Sequence, residues 1–158
     1  MSRGARLGTP TGSSPARPPH HSHGLRSFAR RGVAGAGRRF VTATEQLDTG
    51  TPVVSVMGEV DRTTVPALEQ TLRGVADDWT GDVIVDFTGC RFLDSRGLRA
   101  LITTRVRLER SGRRLALVLA NQSALRIFQI TQFDVLFEIY PSLRAAVDRD
   151  GNGNGATP

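Results

Sequence analysis

The segment DVIVDF, Asp82 to Phe87, constrains the fold more than any other part of the chain. A short β-branched run without polar alternation suits a central strand buried on both faces, and such a strand needs other elements packed over it. The flanking segments supply them. TTVPALEQTLRGVADDW sets Val65, Leu68, Leu72, Val75 and Ala76 at three- and four-residue spacing, which predicts a helix with Thr63 or Thr64 as N-cap and Pro66 in its first turn. Downstream, Leu98, Leu101, Ile102, Val106 and Leu108 predict a second helix that ends near RSGRR, where Gly112 supplies a left-handed cap.

Upstream, RFVTATEQL alternates as an edge strand does, DTGT turns the chain, and PVVSVMGEV is a second, more buried strand. LALVLA is another buried strand, QSALRIFQIT a short helix, VLFEIY a last short strand or extended segment, and SLRAAVDR a final helix. The order β-β-α-β-α-β-α-(β)-α predicts an α/β domain. Its four- to five-stranded mixed sheet is flanked by helices: strands alternating with helices need parallel crossovers, while the first pair forms an antiparallel hairpin.

Charge divides the chain in the same place as composition. All 21 basic residues are Arg, and eight of them precede Phe40 without one Asp or Glu among them. The net charge is therefore +8 before Phe40 and −2 after it, thirteen Arg against fifteen acids. The basic character belongs to the arm and does not point to nucleic-acid binding by the folded part. Residues 1–37, rich in Gly, Pro, Ser, Arg and His, are expected to be a disordered arm, residues 38–150 the domain, and residues 151–158, DGNGNGATP from Asp150 on, a disordered tail. No apolar run is long enough for a membrane helix and no secretory h-region is present, although an Arg- and Ser-rich, acid-free arm also suits a transit peptide; a cytoplasmic protein is expected. A translation start near Val41 is a further alternative for the arm.

The stretch CRFLDSRGLRAL, Cys90 to Leu101, poses the functional question, because Ser95 follows an Asp where a strand passes into a helix. The first amide N–H groups and the positive end of the helix dipole lie there, a favourable place for a phosphate. A nucleophilic role would need a general base. All three His (20, 21 and 23) are in the arm and Lys is absent, so no catalytic residue is assigned, and no P-loop pattern is present. The plain alternative is that Asp94 or Ser95 caps the helix. Cys90, the only Cys, has no Cys or His nearby for a metal site and is expected to pack as a small hydrophobe, with Trp79 as a lid on the first helix.

Two motifs, MGEVDRTTVPAL around Asp61 and VIVDFTGCRFLDSRGLRAL around Ser95, occur in the order and spacing of one family. Together they resemble the STAS domain, and within it the anti-sigma factor antagonists, which show G-E-[LIV]-D followed by Thr or Ser and then [FY]-[ML]-D-S-[ST]-G-L. The resemblance covers about residues 40–150. It implies a protein without catalysis or cofactor that switches partners. Unmodified, it binds an anti-sigma factor that is also a Ser kinase; phosphorylated at Ser95, it is released, and a phosphoserine phosphatase resets it. The resemblance places Asp61, Asp94, Ser95, Arg96, Gly97, Leu98 and Arg99 at the partner-binding surface.

This chain departs from the pattern at Arg96, usually Ser or Thr, and at Arg99, often a small residue. Both put positive charge beside Ser95, where it can pair with a phosphate or select a different kinase. Gly97 either lets a partner's backbone approach or serves internal packing. Asp61 has a plain alternative as a turn residue before RTT. Two other functions remain open: a non-phosphorylated STAS accessory subunit of a transport or signalling complex, and nucleic-acid binding by the arm, for which LRSFARR offers one aromatic and no interleaving.

Overall fold

The structure, a computed structural model, describes residues 26–27, 32–34 and 40–152. The hairpin forms as its pattern predicts. β3 (Phe40–Gln46) buries Phe40, Thr42 and Thr44 on one face and runs antiparallel to β4 (Pro52–Val60), with Val41 opposite Met57 and Gln46 opposite Pro52. Gly50 closes the turn at φ +89°, a left-handed conformation that glycine adopts without strain, and its N–H donates to the Leu47 carbonyl.

The run Val83–Asp86 is β5, parallel to β4 on one side and to β7 (Leu115–Val118) on the other. β8 (Glu138–Tyr140) extends β7 in parallel, so the central order is β3-β4-β5-β7-β8. This is the expected mixed sheet. It carries one strand that periodicity does not reveal, β6 (Cys90–Leu93), which pairs in parallel with the far end of β4.

Helices α1 (Val65–Asp78), α2 (Ser95–Glu109) and α3 (Gln122–Ile130) supply Leu68, Leu72, Leu101, Leu108 and Phe128 to the larger core, together with Val54, Val56, Val85 and Leu117 of the sheet. α4 (Leu143–Asn152) covers the opposite face through Ala146 and Val147 against Val53, Ile84 and Val118. Val53 and Val54, and likewise Ile84 and Val85, thus face different cores, which is why these strands are apolar without alternation. Gly112 closes α2 at φ +71°, and the buried Arg113 beyond it crosses to the end of α1, donating to the carbonyls of Ala76 (Nη1, 2.7 Å) and Gly81 (Nε, 2.6 Å).

Two short stretches of the arm are strands, against the expectation of no regular structure there. β1 (Arg26–Ser27) and β2 (Gly32–Ala34) pair antiparallel with β3. The physical reason is that β3 is the outer strand of the hairpin, and its backbone groups facing away from β4 accept any adjoining extended segment. The rest of residues 1–39 lies outside the described residues. At the other end α4 continues through Asn152, two residues into the expected tail, and residues 153–158 lie outside the described residues.

Candidate functional site

The site is built where β4 changes partners. Its first half pairs with β5; a register shift between Gly58 and Glu59 then turns its second half onto β6, with Val60 opposite Leu93. Gly58 makes the bend at φ +96° and its N–H donates to the Gly89 carbonyl at 3.0 Å. The Asp94 N–H donates to the Val60 carbonyl, also at 3.0 Å. Asp61 and Asp94 therefore leave two adjacent parallel strands at the same level, and each leads into a helix.

At the start of α1, one oxygen of Asp61, Oδ1, accepts from the Thr63 hydroxyl (2.6 Å), the Thr63 N–H (2.8 Å) and the Thr64 N–H (3.2 Å). These bonds, the Thr63 hydroxyl foremost, hold the Asp61 carboxyl below the ordinary carboxylate pKa. Asp61 is thus a turn residue as well as a candidate contact. Thr64 occupies the N-cap position, but its hydroxyl makes no cap bond. It is buried, donating to the Glu59 carbonyl and accepting from the Asp61 N–H, both at 2.8 Å. The cap bond expected of Thr63 or Thr64 is not made: the strand end takes the Thr64 hydroxyl, and the Asp61 side chain closes the turn ahead of α1 by accepting from the Thr63 and Thr64 amides.

At the start of α2 the cap is Asp94, whose Oδ1 accepts from the N–H groups of Arg96 (2.9 Å) and Gly97 (3.0 Å). The capping alternative is therefore met by Asp94 alone. Two of the amides expected to await a phosphate already hold a carboxylate. Ser95, the first residue of the helix, is exposed, and its hydroxyl makes no hydrogen bond among the described residues.

The remaining candidates divide by side. Arg96 and Arg99 are exposed, and neither forms an ion pair among the described residues. Leu98 is buried in the larger core. Gly97 is buried as well, and a Cβ there would lie 2.3 Å from Leu93 Cδ1 and 2.7 Å from Val60 Cγ1. Between the two roles open to Gly97, the geometry assigns internal packing: the absent side chain lets α2 sit against the ends of β4 and β6.

Cys90 is half-buried, its thiol donates to the Phe92 carbonyl at 3.2 Å, and burial pushes its pKa up, so it is held as the thiol. Trp79 packs against the larger core beside the end of α1. Among the described residues no group of His, Cys, Asp and Glu is placed to hold a metal ion, and no helix is long and apolar enough to cross a membrane. One feature near the site has no periodic signature in sequence. An open groove of ≈ 90 Å³ lies between β6, α2 and α3, with Leu93 and Leu98 in its wall and Phe92 and Ile127 at its surface.

Comparison with known proteins agrees with this layout. The STAS domain family matches residues 42–146. An anti-sigma-B factor antagonist of Staphylococcus aureus is 31% identical over 86 residues, covering 54% of this chain and 80% of that protein. The crystal structure of an anti-sigma factor antagonist from Mycobacterium paratuberculosis superposes with a TM-score of 0.64 at 33% identity, covering 70% of this chain and 92% of that one. SpoIIAA, a Bacillus cell fate determinant solved in its phosphorylated form, shares the fold at a TM-score of 0.55 and 20% identity over 68% of this chain and 97% of its own.

Proposed function

Because the chain belongs to the STAS-domain family of anti-sigma factor antagonists, we propose that it binds an anti-sigma factor with Ser kinase activity and is released when that kinase phosphorylates Ser95. A phosphoserine phosphatase returns it to the binding form, and the cycle runs in the cytoplasm. The protein itself is a non-catalytic regulator of sigma-factor-dependent transcription. Residues 38–150 are the switching domain.

The observation that carries this reading is the Ser95 hydroxyl, which makes no hydrogen bond among the described residues. Ser95 stands exposed at the first position of α2, and Asp94 has already taken the capping role that would otherwise tie up a hydroxyl there. A kinase can reach it without unwinding the helix. The same geometry supports release after modification. A phosphate brings about −1.5 to −2 charge to a place where the Asp94 carboxylate already holds the Arg96 and Gly97 amides and where Asp61 leaves the next strand. Repulsion and the cost of desolvating that charge in an interface both oppose the complex, with no refolding required.

The absence of Lys throughout the chain and of His beyond residue 23 leaves Ser95 without a general base of either type, consistent with a substrate of another enzyme and not a nucleophile. The test is incubation of the full chain with purified anti-sigma kinases and Mg-ATP, followed by mass spectrometry. One phosphate on Ser95, absent in Ser95→Ala, is the expected result. Modification at Thr63 or Thr64 in its place, or none with any kinase that binds the chain, contradicts the reading.

A further inference from the structure

Phe92 and Ile127 are 53% and 49% exposed, a poor placement for large apolar side chains unless something covers them. Both open onto the groove between β6, α2 and α3, whose floor includes Phe87 and Phe128. Ile130, 75% exposed, follows Ile127 by three residues on α3 and so continues the apolar surface along one side of that helix. Leu93 and Leu98, which bracket Ser95 in the chain, form part of the groove wall. The groove therefore adjoins the candidate phosphorylation site.

The one charged side chain in its described lining is Arg91. Arg126 stands next to Ile127 on α3, and Arg96 and Arg99 stand on the exposed side of α2; none of the four forms an ion pair among the described residues. Two carboxylates are also close: Asp94, which accepts from the Arg96 and Gly97 amides, and Glu59, which acts on the Cys90 thiol. An apolar cleft with Arg91 in its lining, and with Arg96, Arg99 and Arg126 exposed on the two helices that bound it, suits an occupant with apolar side chains for the cleft and carboxylates for those guanidinium groups.

The chain does not offer that occupant itself. Its N-terminal arm carries eight Arg and no acid, which the rim repels, and its last nine residues, DGNGNGATP, contain nothing more apolar than Ala and Pro.

We propose that this groove receives an amphipathic, acid-flanked segment of the anti-sigma factor. The proposal deepens the partner-switching reading and rests on it. It also gives Arg96 and Arg99 a role in the switch: Ser95 and Arg99 are one helical turn apart, so a phosphate on Ser95 pairs with the guanidinium groups that otherwise attract the partner's carboxylates. Phosphorylation then acts by taking the partner's counter-charges as well as by repulsion.

The experiment is calorimetric titration of the full chain with a purified anti-sigma factor at about 50 and 200 mM salt, where screening differs about twofold in range. Ile127→Glu and Phe92→Thr, both at exposed positions, are expected to weaken binding at least about tenfold. Arg126→Glu is expected to weaken it several-fold at low salt and less at high salt. Val106→Glu, at an exposed position on α2 outside the groove lining, serves as the control and is expected to bind as wild type does. Thermal melts establish that each variant is folded, and having two apolar variants and one charge variant keeps the test decisive if one of them is not. Wild-type affinity in Ile127→Glu and Phe92→Thr, alongside loss of binding in Ser95→Asp, overturns the groove and leaves the switch standing. The reverse pattern upholds the groove as a docking surface and overturns the switch. Failure of wild type to bind any anti-sigma factor overturns both.

Discussion

The starts of α1 and α2 are near neighbours, each led in by an Asp, yet their hydroxyls have different fates. Each helix follows one of two paired parallel strands: Asp61 Oδ1 accepts from the Thr63 and Thr64 amides in the turn before α1, and Asp94 Oδ1 from the Arg96 and Gly97 amides of α2 itself. At α1 the side chains that follow are consumed by structure. The Thr63 hydroxyl bonds Asp61, and the Thr64 hydroxyl is buried between strand and helix. At α2 the Ser95 hydroxyl bonds nothing among the described residues. The difference teaches that a hydroxyl beside a helix-leading Asp is tied into the structure or left exposed according to whether the strand end and the turn call on it.

The largest expected effect sharpens that comparison by disturbing how α2 sits on the strands. Gly97→Ala places a methyl within van der Waals overlap of Leu93 and Val60, so it is expected to cost about 1–3 kcal/mol through overpacking, read as a lower urea midpoint at unchanged slope. Wild-type stability would mean that α2 shifts freely and that the level of Ser95 is not fixed by packing. Next is Asp94→Ala, which removes two cap bonds and is expected to cost about 0.5–2 kcal/mol. If it costs nothing, Ser95 has taken over the cap and the distinction between the two helix starts fails.

A pH titration probes the other start. The Asp61 carboxyl is held below its ordinary value chiefly by the Thr63 hydroxyl, so the linked stability is present above the ordinary Asp pKa of about 3.9 and is lost as pH falls through the lower folded-state value. Carboxyl carbon shifts followed by NMR should show Asp61 titrating below 3.9, and Thr63→Val should move its midpoint up. An unchanged midpoint in that variant would remove the hydroxyl as the cause.

How much of this was readable beforehand depends on whether a residue's role is local. The central strand VIVDF, the hairpin and the heptad-like spacing of α1 and α2 are written in short windows, and the fold follows them. β6 is not written that way. Cys90, Arg91, Phe92 and Leu93 show no alternation, and the strand exists because β4 bends at Gly58 and offers a second edge. Thr64 reads as a cap from sequence because its competitor, the Glu59 carbonyl, becomes available only once the strand end is in place. Gly97 was legible as special but not as to why, since Leu93 and Val60 converge on it from two strands. The groove joins Phe92 to Ile127, residues far apart in the chain, and no window contains both.

The smallest effect on stability belongs to Ser95, and it bears on the central claim. With the cap assigned to Asp94, Ser95→Ala and Ser95→Asp are both exposed changes expected to stay within about 0.5 kcal/mol of wild type. Their binding should diverge: alanine is expected to keep wild-type affinity for the anti-sigma factor and to resist phosphorylation, while aspartate is expected to lose affinity by at least about tenfold at an unchanged melting temperature. The decisive measurement is the affinity of wild type, Ser95→Ala and Ser95→Asp for one purified anti-sigma factor, with melting temperatures taken on the same samples. Equal affinities in all three, or a loss in alanine matched by a fall in its melting temperature, would contradict the account and return Ser95 to a structural role.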